Sequence, residues 1–191
     1  MRLFVGIALA ETVVGELAAV CARLRKGGDG LRWAAPESWH ITLQFLGNTS
    51  AAQYDCLRSR LAQVRSEPVP VRLAELGVFE RAGVFFAEVE LTAELVKLQK
   101  RVAAETARCG FAAEERAFHP HLTLARAKGD GRSRQLRELK ARAQGSAAFP
   151  AFVAREFLLY ESHLGAGGAR YEVRGRFELA SQRVGEPASQ Q

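Results

Sequence analysis

The chain has 191 residues, 48% of them hydrophobic and 25% charged, with a formal net charge of +6. That balance excludes a disordered chain and suits one compact domain or two small lobes sharing a core. The basic surplus favours a polyanionic partner, although many basic proteins bind no nucleic acid.

Leu3 to Leu9 is a nearly continuous apolar run and predicts a strand buried on both faces. From Glu11 the apolar positions Val13, Val14, Leu17, Ala18, Cys21 and Leu24 form a helical stripe that ends in basic residues and Gly27-Gly28. Leu31 to Trp33 reads as a short extended piece, Pro36 to Ser38 as a turn, and Trp39 to Leu46 as a strand closed by Gly47-Asn48. Ser50 and Gln53 make a capping-box pattern for a second helix carrying Tyr54, Leu57, Leu61 and Val64. Val69 to Phe79 and Gly83 to Leu91 predict a hairpin, after which Thr92 caps a third helix with the stripe Leu95, Leu98, Val102 and Thr106.

Pro120 holds the chain extended before a further strand that begins at His121. The segment from Ser133 to Gln144 is rich in Arg and Lys with only Leu136 and Leu139 as strong apolar anchors. It predicts a surface helix whose cationic face is either solvated or turned to phosphates. Phe152 to Tyr160 and Tyr171 to Leu179 predict the last strands, and 181–191 a flexible polar tail. Cys21, Cys56 and Cys109 are odd in number and widely spaced, so they read as buried small hydrophobes in a reducing compartment and not as a disulfide or zinc framework. No apolar run reaches the length of a membrane span and no signal peptide is visible, which points to the cytoplasm.

One tetrad recurs. His40-Ile41-Thr42-Leu43 is repeated as His121-Leu122-Thr123-Leu124, in a chain with only 4 His. Each copy alternates polar and apolar residues, the mark of a half-buried strand, so His and Thr share one face while Ile41, Leu43, Leu122 and Leu124 anchor the other. Around each copy the pattern runs helix, motif strand, helix, strand, strand, so the chain reads as two similar halves. The predicted fold is α+β: a single two-lobed, pseudo-symmetric domain over 1–180, with antiparallel sheets forming a central cleft and helices outside.

Two imidazoles and two hydroxyls, without a nucleophilic Cys, a carboxylate pair or a phosphate-binding Gly loop, equip a site for proton transfer around an anion. Imidazole titrates near neutrality, so one His can start as a base and the other as an acid. The Thr hydroxyls can donate to phosphate oxygens, and basic surroundings stabilise the charge that builds there. Phosphodiester chemistry fits that inventory.

Trp39 to Gly47 and Pro120 to Arg126 resemble the two signature motifs of the 2H phosphoesterase superfamily. The opening Arg2 to Leu9 and the closing Leu159 to Leu164, with Gly168 and Tyr171, are similar to its bacterial and archaeal RNA 2′,3′-cyclic phosphodiesterases, formerly described as 2′-5′ RNA ligases. The resemblance implies that His40 is the proton donor, His121 the proton acceptor, and Thr42 and Thr123 the residues that hold phosphate. It implies hydrolysis of a terminal 2′,3′-cyclic phosphate to a 2′-phosphate without metal or other cofactor, reversible as a ligase, in a monomer that binds RNA ends or nucleotides carrying that group. A small cyclic nucleotide or an ADP-ribose cyclic phosphate is the alternative substrate, and a non-catalytic RNA-end-binding module the alternative role.

Other residues are weaker. Arg126 falls on the Leu face if its strand stays regular, which makes it a brace, while its place in the motif makes it a candidate phosphate ligand. His119 and His121 form a His-x-His pair with no third metal ligand spaced nearby, and His163 is a surface histidine or a substrate contact. Phe4, Trp33 and Tyr160 are either base-stacking rings or core.

Overall fold

The structure, a computed structural model, describes residues 1–112, 114, 116–127, 132–145, 149–165 and 168–180. The tail predicted over 181–191 lies outside the described residues. In chain order the elements are β1 (Arg2–Ala8), α1 (Glu11–Leu24), β2 (Leu31–Trp33), β3 (His40–Asn48), α2 (Ala51–Leu61), β4 (Val69–Val71), β5 (Leu73–Phe79), β6 (Val84–Val89), α3 (Ala93–Ala107), β7 (His121–Ala127), α4 (Arg132–Ala143), β8 (Phe152–Ala154), β9 (Glu156–Gly165) and β10 (Gly168–Glu178), with a 3-10 turn at Pro36–Ser38. No helix among the described residues is long and apolar enough to cross a membrane.

The strands form two four-stranded antiparallel sheets, β10-β9-β1-β3 and β2-β7-β6-β5, and a small ribbon, β4-β8. The two halves read from the sequence are visible in this order: β3-β1-β9 in one sheet matches β7-β6-β5 in the other. Each half also lends its last matching strand to the other lobe, since β5 pairs with β6 and β9 pairs with β1. The ribbon joins the halves once more.

Two strands expected as single pieces are broken. Val69 to Phe79 divides at Arg72 and Phe152 to Tyr160 divides at Arg155, because in each the first part pairs in the ribbon and the second enters a large sheet. The two joints match: the Arg72 carbonyl accepts from Glu90 N (2.9 Å) and the Arg155 carbonyl from Leu179 N (2.7 Å).

The helices form where local signals place them. Ser50 accepts from Gln53 N while the Gln53 side chain accepts from Ser50 N, and Thr92 accepts from Leu95 N, which satisfies donors that the first helical turn leaves open. Val13, Leu17, Val20 and Leu24 of α1, Leu57 and Leu61 of α2, Leu95, Leu98 and Val102 of α3, and Leu136 and Leu139 of α4 are all buried. They join Ile41, Leu43, Leu122 and Leu124 in one apolar cluster. Each such side chain contributes roughly 1.5–3 kcal/mol by leaving water. The motif strands are thereby held from the face that does not carry their histidines.

The cysteines depart from expectation. Cys56 of α2 and Cys109, just after α3, form a disulfide, and only Cys21 is free. Packing of α2 against α3 brings together two thiols that lie 53 residues apart in sequence, a proximity that spacing does not reveal. The pairing also removes the reason these cysteines offered for a reducing compartment.

Candidate active site

The two motif strands are copies in structure as well as in sequence. From their histidines onward β3 and β7 share one burial sequence: half-buried His, buried Ile or Leu, half-buried Thr, two buried residues, then an exposed one. Two buried residues in succession break strict alternation, and the cause is a bulge. Thr42 pairs with Gly6 and Gln44 with Val5, leaving Leu43 without a partner; Thr123 pairs with Phe86 and Ala125 with Phe85, leaving Leu124 over.

The bulge resets the parity of the residues beyond it. Phe4, Gly6 and Ala8 lie on one face of β1, and their partners are Phe45, Thr42 and His40, so these three share a face. By the same reasoning Val84, Phe86 and Glu88 place Arg126, Thr123 and His121 on one face of the second sheet. Arg126 therefore does not brace the Leu face, as a regular strand requires; it is exposed on the face of the catalytic candidates. Gly6 lets β1 approach at the bulge, since a Cβ there would meet the Ile41 carbonyl oxygen at 2.7 Å.

Both histidines are held by the same short bond. His40 Nδ1 lies 2.8 Å from the Ser38 carbonyl and His121 Nδ1 lies 2.9 Å from the His119 carbonyl, each two residues back. A carbonyl only accepts, so Nδ1 carries the proton and donates, and Nε2 is left as the atom that takes up or releases a proton. Aromatic rings wall each imidazole. Phe4 (4.5 Å between centroids), Tyr171 (4.8 Å) and Tyr160 (5.7 Å) surround His40, while Phe79 (5.1 Å) and Phe86 (5.6 Å) flank His121. Phe4 stacks on Tyr160 and Phe79 on Phe86.

These walls set the acidities. Burial lowers His40 to about 4, with the Ser38 bond opposing and the charge of His121 reinforcing the shift. Burial also lowers His121, again against its carbonyl bond, with help from the positive charges of His119 and Arg126. His40 and His121 thus lie within electrostatic reach of one another, across the cleft between the sheets. Tyr171 is raised by burial against the pull of Arg126, Arg2 and Arg32, so guanidinium groups from both sheets lie within electrostatic reach of its hydroxyl.

Arg32 is brought there by its turn. Asp29 accepts from Leu31 N (3.0 Å) and Trp33 Nε1 (3.2 Å), which fixes β2 beside β7 with Arg32 directly opposite Arg126. Among the described residues Arg2, Arg32 and Arg126 make no ion pair, and the Thr42 and Thr123 hydroxyls have no protein hydrogen-bond partner. Two like charges at one cross-strand position repel, so the arrangement suits a bound anion.

The weaker sequence candidates separate clearly. His119 is exposed and lies 3.8 Å from Glu88, with no further metal ligand gathered around the His119 and His121 pair among the described residues. His163 lies on the opposite face of β9 from Tyr160, beside Glu172 (3.2 Å); with Glu161 these make the one described cluster of potential metal ligands, and Arg174 already pairs with both glutamates. Phe4 and Tyr160 are buried and Trp33 is half-buried. Sequence reasoning missed Arg2, Arg32, Phe79, Phe86 and the exposed Phe45, each brought in by strand pairing and none marked by a local pattern. Basic α4 packs behind the second sheet, so its charges do not line the cleft.

Comparison with known proteins agrees with this geometry. Residues 11–163 match the family model described as the 2′-5′ RNA ligase superfamily. An RNA 2′,3′-cyclic phosphodiesterase of Thermotoga maritima is 33% identical over 133 residues, which cover 67% of this chain and 71% of that one. Another, from Aeropyrum pernix, is 35% identical over 61% of this chain and 69% of its own. The crystal structure of E. coli LigT complexed with 3′-AMP superposes with a TM-score of 0.78 at 25% identity, covering 94% of this chain and 98% of that one. With the repeated His-x-Thr strands, their matching bulges and this extent of similarity, the chain belongs to the 2′-5′ RNA ligase superfamily, within the 2H phosphoesterases.

Proposed function

We propose that the chain hydrolyses the terminal 2′,3′-cyclic phosphate of RNA to a 2′-phosphomonoester by acid-base catalysis between two histidines. The observation that carries the reading is the matched pair His40 and His121, each with Nδ1 tied to the carbonyl two residues back and Nε2 left to titrate, on facing strands near guanidinium groups that make no ion pair among the described residues. The relatives named RNA 2′,3′-cyclic phosphodiesterase and the E. coli neighbour that binds 3′-AMP support the substrate class.

In this reaction the Nε2 atom of His121 takes a proton from water as the water oxygen bonds to phosphorus. The bond from phosphorus to the 3′ oxygen breaks, and His40 Nε2 delivers its proton to that oxygen. Thr42, Thr123 and Arg126 hold the non-bridging oxygens, where charge accumulates in the transition state. Burial lowers both imidazoles below the ordinary histidine value in the free protein, and the phosphodiester anion raises their proton affinity on binding, which favours the protonated His40 that the donor role needs. Each proton transfer has a resident imidazole, so the scheme requires no metal. With an RNA 5′-hydroxyl in place of water, the same attack breaks the bond from phosphorus to the 3′ oxygen and forms a 2′-5′ linkage, and the reverse of that step cleaves the linkage back to the cyclic phosphate. The acting unit is a monomeric two-lobed domain over 1–180, in the cytoplasm.

The test is incubation of a short RNA ending in a 2′,3′-cyclic phosphate with the protein and EDTA, resolving 2′- from 3′-phosphate products. A 2′-phosphate product, with turnover lowered by ~10²–10⁴ in His40→Ala and in His121→Ala, supports the reading. Near-normal rates in either variant overturn the assignment of roles, and inhibition by EDTA reversed by zinc or manganese overturns the metal-free scheme. An untouched RNA end with turnover of small cyclic nucleotides or ADP-ribose cyclic phosphate relocates the substrate. Stoichiometric protection of the end without turnover makes the protein a binding module.

A further inference from the structure

We propose that Glu88 turns the site toward water and away from RNA as the nucleophile, because its carboxylate repels the phosphate that an RNA strand brings one ribose behind its attacking 5′-hydroxyl. The inference rests on the cyclic-phosphate reading above and concerns which nucleophile that site accepts.

His121 takes the proton of the nucleophile, so whatever attacks phosphorus enters on the His121 side of the cleft. Glu88 is the residue directly across from His121 on β6, and it shares the face that carries His121, Thr123 and Arg126. Its side chain is 46% exposed, and its carboxylate lies 3.8 Å from His119 Nε2, an imidazole that offsets the charge only while protonated. Glu90 adds a second carboxylate at this end of the sheet. With Leu91 and His119 the two glutamates line one open depression, and the contact of Glu90 with Arg72 is long, at 3.9 Å.

The first sheet supplies the contrast. There the residue across from His40 is Ala8, also exposed, so the matching position offers a methyl group where the second sheet offers a carboxylate. Along the same face of β7, at its other end, Arg126 lies across from Arg32. The second bank therefore runs from positive at Arg126 to negative at Glu88, with Thr123 and His121 between. A cyclic phosphate is drawn to the first end. Water carries no charge and meets no penalty at the second, whereas a 5′-hydroxyl strand sets a phosphodiester against an exposed carboxylate there. Like charges placed together across an interface suppress the wrong partner, and here they act on the nucleophile while the two histidines serve either one.

The reverse of the ligation step isolates this contact. In a 2′-5′-linked dinucleotide the 3′-hydroxyl attacks phosphorus and gives its proton to His40, the bond from phosphorus to the 5′ oxygen breaks, and His121 delivers a proton to that oxygen. The experiment compares cleavage of 2′-5′-linked adenylyl-adenosine with that of the same molecule carrying a 3′-phosphate on its second nucleoside, in wild type, Glu88→Gln and Glu88→Lys. Wild type should prefer the molecule without the added phosphate by about 3- to 30-fold in kcat/KM, a preference that weakens as salt is added. Glu88→Gln should lose the preference and Glu88→Lys should reverse it. On the molecule without the added phosphate both variants should stay within about threefold of wild type, which also shows that they are folded. A wild type without the preference, or a preference that survives in Glu88→Lys, overturns the proposal. Equal changes on both molecules would make Glu88 a support for His121 and overturn it too. If wild type opens adenosine 2′,3′-cyclic phosphate but leaves both dinucleotides intact, cleavage of the phosphorylated one in Glu88→Lys supports the proposal, and none in either variant overturns it. A wild type that leaves the cyclic phosphate intact as well overturns the phosphodiesterase reading, and the role of Glu88 falls with it.

Discussion

Phe45 and Arg126 occupy one and the same step of two matching strands, each just beyond a bulge that leaves a leucine unpaired. The motif is repeated but the residues after it differ, and the cleft is therefore asymmetric in the chemistry it offers.

Arg126 should cost stability and supply activity. It faces Arg32 directly across β2 and β7, and neither has an ionic partner among the described residues. In phosphate-free buffer Arg126→Ala should gain roughly 0.2–1 kcal/mol in urea denaturation by removing that repulsion. The same substitution should lower kcat/KM by ~10²–10³, and Arg126→Lys should restore part of it, since an ammonium keeps the charge without the two-pronged geometry. Unchanged turnover in Arg126→Ala would remove this side chain from the phosphate site.

The pH dependence comes from the lowered imidazoles. In the free protein a proton must reside on one of two histidines that both resist it, His40 at about 4, so the optimum of kcat/KM should lie on the acid side of the ordinary histidine value. The optimum of kcat should lie at higher pH, because the bound anion raises both groups. For stability, the unfolded chain binds a proton at His40 near pH 6.5 and the folded chain only near 4, so ΔG of unfolding should fall as pH drops from about 6.5 toward 4. His40→Gln should flatten that slope in denaturation curves taken at several pH values.

Local signals were legible and pairing-dependent ones were not. The capping box at Ser50 and Gln53, the helical stripes and both His-x-Thr-Leu strands are written in consecutive residues, where alternation and spacing speak directly. Parity alone puts Arg126 on the Leu face because a bulge is a property of two strands, and nothing within β7 announces that Leu124 will go unpaired. The aromatic walls around the histidines come from β1, β5, β6, β9 and β10, so they exist only once the sheets have formed.

The disulfide was illegible for the same reason, and its contribution is measurable. Reduction of Cys56–Cys109, which closes a loop across a separation of 53 residues, should lower stability by about 2–4 kcal/mol in guanidinium unfolding. Thiol titration of the unfolded chain should find only Cys21 without reductant and all three cysteines with it. In the folded protein Cys21 should stay unmodified, because burial pushes its thiol up to about 12 and leaves almost no thiolate.

Gln44 ties the first motif strand to its surroundings. Its Oε1 accepts from Thr106 Oγ1 at 2.7 Å, and its Nε2 donates to the Ala112 carbonyl at 3.4 Å, on the segment that leads toward His121. Thr106→Val keeps the shape of the buried side chain and orphans an amide oxygen, so it should cost about 1–3 kcal/mol by thermal or urea unfolding. Thr106→Ser should recover most of the loss.

The exchange of β5 and β9 between the halves bears on how the cleft admits its substrate. Each lobe is completed by a strand from the other half, and β4 is laced to β8 between them, so the two banks are strapped together like crossed hands. Parting them would require unzipping a strand. The gap between His40 and His121 is accordingly a fixed gauge, which an RNA end enters from the open mouth, and a chain cut between the two halves should regain activity only when both fragments are mixed and trade strands.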